Sequence, residues 1–448
     1  MVKVMQTSIY KQFWRYTVPT VAAMLVNGLY QVVDGIFIGR YVGADGLAGI
    51  NVAWPVIGSI LGIGMLVGVG TGALTSIRQG EKDVTGAKQV LMTGLLLLLL
   101  ITPIVALTLW LFAENFLIWQ GAQGRVFDLG LQYLNVLIAG CVFTLGSIAM
   151  PFLLRNDQSP KFATMLMMLG AVINIVLDYV FIAWLDWELT GAALATAIAQ
   201  MTVTVFGIAY FFSRRANLHL QTADFEFRFT TIPQIFTIGA SSFFMYAYGS
   251  VMVALHNGLF AEYGDQLMIG AYAILGYIVT VYYLAAEGIA NGMQPLASYN
   301  HGAKHVENIK KLLKVAMVSS TSLGVIFVAL LNVFPYQFVS VFNSESHELV
   351  DYTVMGIQLH LFALALDGFL VVTAAYYQAI NSGSKAMFVT VGNMLIQLPF
   401  LYIMPKLYGV TGIWLAYPLS NIALSVVVAI MLYNDVKRYQ IRAMQAAI

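Results

Sequence analysis

Cysteine and charge are both scarce in this 448-residue chain. Cys141 is the only cysteine, so neither an intrachain disulfide nor a thiolate metal cage can form. The six histidines make no HExxH pair, and His301 with His305 reads as a solvated pair in a polar turn rather than a metal site. Lys, Arg, Asp and Glu together supply 10% of the residues and nearly cancel, leaving a net charge of +1. With no basic cluster either, nucleic-acid binding is excluded. No nucleophile–base or metal constellation stands out, which argues against an enzyme. The first apolar stretch runs on through helix length without a small-residue cleavage site, so no cleavable signal peptide is expected.

Apolar surface is what the chain has in excess. Residues AVILMFWYC make up 60% of it, before its 39 glycines are counted. Soluble proteins run near ~45–50% with glycine included, and a water-soluble fold could not hide the difference. The expected solvent is lipid. Crossing ~30 Å of hydrocarbon takes about 20 apolar residues as a helix, and twelve segments qualify: 13–38, 48–76, 88–112, 127–151, 161–184, 190–212, 231–260, 268–298, 312–333, 353–379, 386–405 and 410–432. Blocks such as Leu91 to Ile101 do not alternate, which excludes a β-barrel. The loops are too short for a soluble domain; the longest, 213–230, has room for a short interfacial helix. With the N-terminus inside, nineteen Lys and Arg fall on the inner side, and only Arg40, Arg125 and Lys406 on the outer. That bias places both termini in the cytoplasm.

The chain also repeats itself. "SIRQGEKDVTGAK" from Ser76 returns as "SYNHGAKHVENIK" from Ser298, "RNDQSPKF" from Arg155 as "INSGSKAMF" from Ile380, and "LTGAAL" from Leu189 as "VTGIWL" from Val410. Six spans per copy give both halves the same polarity. The expected fold is therefore an all-α polytopic membrane protein of two six-helix bundles, residues 1–217 and 218–448, related by a pseudo-twofold axis along the membrane normal. Such repeats commonly flank a transport pathway.

Four acidic residues fall within spans: Asp34, Asp178, Glu287 and Asp367. No Lys or Arg lies deep enough to pair with them. An unpaired carboxylate in hydrocarbon costs several kcal/mol, so each should face a wet cavity or hold a proton or cation. Asn174 and Asp178 are four apart, on one helix face. Asp178 and Thr196 lie at similar depth on either side of the turn near Asp186, and Asp34 lies similarly deep below the turn near Gly43. If helices one, five and six are adjacent, Asp34, Asn174, Asp178 and Thr196 share a pocket of oxygen ligands suited to a proton or Na⁺; otherwise Asn174 and Thr196 simply satisfy backbone groups. The second half places His256, Gln397 and Tyr402 near the matching positions, so its chemistry has diverged. Pro19 marks a kink in helix one, either a hinge or a static bend. The glycines of "GIGMLVGVGTG" and "EGIANG" fit close helix packing as well as a gate. Aromatic residues such as Tyr283 beside acidic ones suit bulky lipophilic cations.

This pattern resembles the multidrug and toxic compound extrusion (MATE) family, in particular its DinF-like branch. The resemblance covers essentially the whole chain, including the opening from Pro19 through Asp34, Gly35, Gly39 and Gly43 to Leu47 and Ala48. It implies a V-shaped, two-lobed antiporter with no cofactor beyond the coupling ion, which exports lipophilic cationic drugs or dyes in exchange for H⁺ or Na⁺. Such a protein would sit in the bacterial inner membrane, in contact with lipid, as a monomer. In that branch a cation site is formed by residues that land here on Asp34, Asn174, Asp178 and Thr196, and the bending proline lands on Pro19. The NorM-like branch carries a glutamate on helix seven where this chain has His256, while Asp367 resembles its helix-ten aspartate. A second ion or substrate site would draw on His256, Tyr283, Glu287 and Asp367. The alternatives are a flippase for a lipid-linked precursor, a metabolite exporter of the same superfamily, a channel and a non-transporting scaffold.

Overall fold

The structure is a computed structural model that describes residues 8–221, 224–340 and 347–445. Lys3, part of the inward charge count, lies outside them. Fifteen α-helices follow one another: α1 Ile9–Phe37, α2 Ala44–Gly80, α3 Val84–Trp119, α4 Gly124–Ala139, α5 Cys141–Asn156, α6 Pro160–Asp178, α7 Glu188–Phe212, α8 Ile232–Tyr263, α9 Gln266–Gly302, α10 Val306–Val333, α11 Pro335–Ser340, α12 His347–His360, α13 Ala365–Ala379, α14 Gly383–Tyr408 and α15 Val410–Gln445. Starts are set by local chemistry. The Asp83 carboxylate accepts from the Gly86 amide at 2.8 Å to open α3, and Asp265 accepts from Met268 at 3.0 Å to open α9. Gly409, at φ 57°, turns α14 into α15.

Among the described residues ten helices are long and apolar enough to span a membrane, and two bent pairs bring the number to as many as 12. The bent pairs are the fourth and tenth expected spans. α4 meets α5 at 67° around Gly140, and α12 meets α13 at 53° across residues 361–364. Both sides of each break are apolar, so a count of apolar residues registers one span and no bend. α2 and α9 are each 37 residues long and start the register in which Ser76 lies on Ser298, so the repeat extends to element lengths.

By packing the chain forms two units, Ala22–Ala247 (the N-unit) and Met1–Val21 with Tyr248–Ile448 (the C-unit). The N-unit buries one core of residues such as Leu91, Leu145, Leu154, Phe211 and Ile235, and a second around Ile38, Leu134 and Leu189. The start of α8 lies so tightly on α2 that a Cβ on Gly70 or Gly239 would run into the Ile235 or Leu66 carbonyl. The C-unit has a core joining Phe13 and Tyr16 of α1 to Met293, Tyr376, Leu424 and Val428. There, Cβ atoms on Gly288 and Gly292 of α9 would sit 2.7 and 2.6 Å from the Cα atoms of Val21 and Thr17. Close backbone approach is what these glycines provide.

The 213–230 link differs from expectation: its described residues form no interfacial helix beyond the short turn Phe229–Thr231. Its amides are drawn to Asp157 instead, whose carboxylate accepts from the Asn217 and Leu218 amides (2.9 Å each) and from the Tyr210 hydroxyl (2.8 Å). Lys88 pairs with Asp224 at 3.1 Å, anchoring the next stretch to α3. A backbone already satisfied by side chains has no need of helical bonds.

Candidate functional site

In the N-unit, α1 brings Asp34, α6 brings Asn174 and Asp178, α7 brings Thr196 and α4 brings Tyr133. Both aspartate-bearing helices lose regularity beside the carboxylate. α6 passes directly after Asp178 into a widened π-helical turn, Tyr179–Trp184, and α1 does so at Ile38–Val42, one turn past Asp34. Such widened turns shift the helical ladder and recur at functional sites. Phe37 packs edge-on to Tyr179, with ring centroids 6.4 Å apart, and so ties the two irregular turns together.

The four residues singled out in the sequence meet here. Asn174 Nδ2 donates to Thr196 Oγ1 at 3.3 Å, Thr196 also meets Tyr133, and the Asp34 and Asp178 carboxyls lie against each other. Asn174 and Asp178 are fully buried, and Asp34 is half-buried. Both Asp178 oxygens, Asp34 Oδ1 and Asn174 Oδ1 find no donor among the described residues. Four acceptor oxygens with no donor of their own are complementary to a proton, a hydronium or a small hard cation. Tyr133 and Tyr30, which lies one helical turn from Asp34, were not among the sequence candidates. Neither spacing nor composition shows which tyrosine of another helix reaches the pocket.

The C-unit candidates divide into two groups. Asp367 sits in the first turn of α13, just past the α12–α13 bend. It accepts from Tyr283 (2.7 Å), from Asn421 Nδ2 (2.5 Å) and from the Tyr417 hydroxyl. Glu287 lies one turn along α9 from Tyr283, half-buried. His256 belongs elsewhere. Its Nδ1–H donates to the Met252 carbonyl at 2.8 Å, its ring stacks on Tyr272 at 4.9 Å, and its Nε2 has no partner among the described residues. It approaches His360 edge-on at 5.6 Å, and His360 in turn stacks on Tyr417. His256 therefore makes no hydrogen bond to the Asp367 group. Tyr417 and Asn421 went unnoticed in the sequence although they are four apart on one face, the same signal that marked Asn174 and Asp178.

The MatE family model matches residues 19–180 and again 238–403. The chain belongs to the MatE family. The two matches of this MatE chain reproduce its internal repeat; Asp34, Asn174 and Asp178 lie in the first, and His256, Tyr283, Glu287 and Asp367 in the second. Multidrug export protein MepA of Staphylococcus aureus (strain MSSA476) is 27% identical over 447 residues, covering 96% of this chain and 95% of that protein. MepA of Staphylococcus saprophyticus is 24% identical over 408 residues, covering 91% and 90%. Among solved structures, a MOP superfamily transporter from Pyrococcus furiosus matches with a TM-score of 0.92 over 98% of both chains at 24% identity, which shows the fold. As a MatE protein, the chain is a polytopic secondary active transporter that moves small molecules out across a membrane, and it is not an enzyme.

Proposed function

We propose that this MatE transporter exports lipophilic, mostly cationic compounds in exchange for H⁺, with Asp34 and Asp178 as the groups that carry the exchanged charge. The carrying observation is the pairing of the Asp34 and Asp178 carboxyls in a pocket that gives neither Asp178 oxygen a donor. Na⁺ would fit the same oxygens and is the alternative coupling ion. The multidrug export names of the staphylococcal relatives support the substrate class. Asp34, Asn174, Asp178 and Thr196 support placement in the DinF-like branch, and the nineteen-to-three distribution of basic residues supports cytoplasmic termini in a bacterial inner membrane. The repeats 1–217 and 218–448 act as the two lobes of a monomer.

The exchange works through charge. Uptake of a proton by the Asp34–Asp178 pair from the outer side neutralises the pocket and rearranges its hydrogen bonds with Asn174, Thr196 and Tyr133. Pro19 interrupts the α1 ladder fifteen residues earlier, and α1 bends there, lowering affinity for a cationic compound. Release follows, and the proton leaves toward the cytoplasm. A ligand shifts such an equilibrium only by binding the two states differently, which opposite dependence on the same charge provides. In proteoliposomes, a pH gradient should drive efflux of a fluorescent lipophilic cation, and Asp34→Asn or Asp178→Asn should reduce it at least about tenfold while leaving insertion intact. Wild-type efflux by the double variant would refute the proposal.

A further inference from the structure

The C-unit holds a polar track that the exchange at Asp34 and Asp178 does not use. Along α9, Tyr283, Glu287, Asn291, Gln294 and Ser298 recur at spacings of four, four, three and four residues, which puts them on a single face. At 1.5 Å per residue the track is about 22 Å long. Its outer end is the Tyr283 hydroxyl on Asp367 at 2.7 Å. Its other end, where Gln294 Nε2 donates to Ser298 Oγ at 3.0 Å, approaches Gly302 and the basic loop beyond it.

The fold does not require this track. In the register that lays α2 on α9, the positions of Tyr283, Glu287, Asn291 and Gln294 are occupied by Leu61, Met65, Val69 and Gly72, and only Ser298 meets a serine, Ser76. A helix of the same length therefore packs in the N-unit with an apolar face. Buried polar atoms with nothing to bind occur in the C-unit on α9 itself, on α15 and on α1. Asn291 Nδ2, Asn421 Oδ1, Ser425 Oγ and, from α1, Thr17 Oγ1 are buried without a partner among the described residues. Thr17 Oγ1 is directed at α9, where a Cβ on Gly292 would lie 2.7 Å from it. The repeat again supplies a contrast. Gln200 and Thr204, the α7 counterparts of Asn421 and Ser425, are satisfied by Thr144 at 2.7 Å and by the Phe143 carbonyl at 2.8 Å. Buried polar atoms left over along a track are held by water when the site is polar and roomy enough.

We propose that this face of α9 is a hydrated proton path linking Asp367 to the cytoplasmic end of the C-unit, with Glu287 as its relay. A proton in the water at the Asp367 end passes along the track, and the Glu287 carboxylate accepts it. Glu287 then gives it to water held by Asn291, and it reaches solvent beyond Ser298. One proton enters and one leaves, and Glu287 returns to the carboxylate. The proposal rests on the proton-exchange reading above and adds to it a separate route through the other unit.

The test is a pair of transport modes in proteoliposomes. Asn291→Leu and Gln294→Leu should lower pH-gradient-driven efflux about tenfold while keeping dye–dye counterflow, which moves no net proton, within about twofold of wild type. Glu287→Gln should lower the driven mode as well, and Glu287→Asp should restore part of it. Unchanged driven efflux in the leucine variants, or equal loss of both modes, overturns the path. A second readout does not depend on the coupling ion. In a Cys141→Ala background, Asn291→Cys should react with a small cationic thiol reagent supplied from the cytoplasmic side, whereas Val69→Cys should not. An unreactive Asn291→Cys also overturns it. Asp34→Asn in the same assay reports on the exchange site alone: full driven efflux there refutes that site and leaves the α9 result to be read on its own variants.

Discussion

At the residue scale, hydrogen-bond donors separate the intramembrane acids. Asp367 has three donors, from Tyr283, Tyr417 and Asn421, so its negative charge is met on both oxygens. Asp178 has none beyond its contact with Asp34. The first arrangement holds a carboxylate in place, and the second invites a proton or cation. Thr196 sits between Asn174 and Tyr133, so Tyr133→Phe should cost about 0.5–1.5 kcal/mol of stability and slow driven efflux, with thermal unfolding in detergent as the check. Asp157, outside the spans, makes a prediction about pH. Burial pushes its carboxyl up to about 6, against hydrogen bonds from Tyr210, Asn217 and Leu218 that favour the charged form. The folded chain thus holds this proton to higher pH than the unfolded chain does. The contribution of Asp157 to stability is fully present below the ordinary carboxylate pKa, near ~4, and is lost as pH rises toward about 6. Unfolding midpoints measured across that window should show this slope in wild type and lack it in Asp157→Asn; equal slopes would contradict it.

At the element scale, the glycines carry backbone contacts. A Cβ on Gly70 meets the Ile235 carbonyl, whereas one on Gly58, also on α2, meets nothing within 4 Å. Gly70→Ala should therefore lose about 1–3 kcal/mol or shift the helices apart, and Gly58→Ala should be neutral to mildly stabilising. Midpoints of thermal unfolding for the two variants decide this, and an unaffected Gly70→Ala would contradict the packing described. The helices themselves were readable because every span is a long apolar run between polar turns. The pocket of Asp34, Asn174, Asp178 and Thr196 was readable because carboxylates are rare in hydrocarbon and i, i+4 spacing fixes a face. The breaks at Gly140 and 361–364, the π-helical turns after Asp178 and Asp34, and the tyrosines at 133 and 417 were not. Each depends on contacts between helices, and a one-dimensional apolar pattern is the same with or without them.

At the scale of the whole molecule, the two repeats share the length of α2 and α9 and differ in chemistry. The N-unit keeps a donor-poor carboxyl pair, while the C-unit keeps a donor-rich Asp367 and the polar face of α9. A transporter with equivalent halves would need neither distinction. If both termini face the cytoplasm, reporters that are active only inside the cell should be active at either end of the chain; activity only in the periplasm would contradict the orientation. The central claim is that cationic compound and proton exchange through Asp34 and Asp178. Its most direct test is the proton count on adding a lipophilic cation to purified protein in weakly buffered detergent. Wild type should release protons as the compound binds, and the Asp34→Asn, Asp178→Asn double variant should bind without release. Equal release by both proteins, or binding by wild type with none, would contradict the claim.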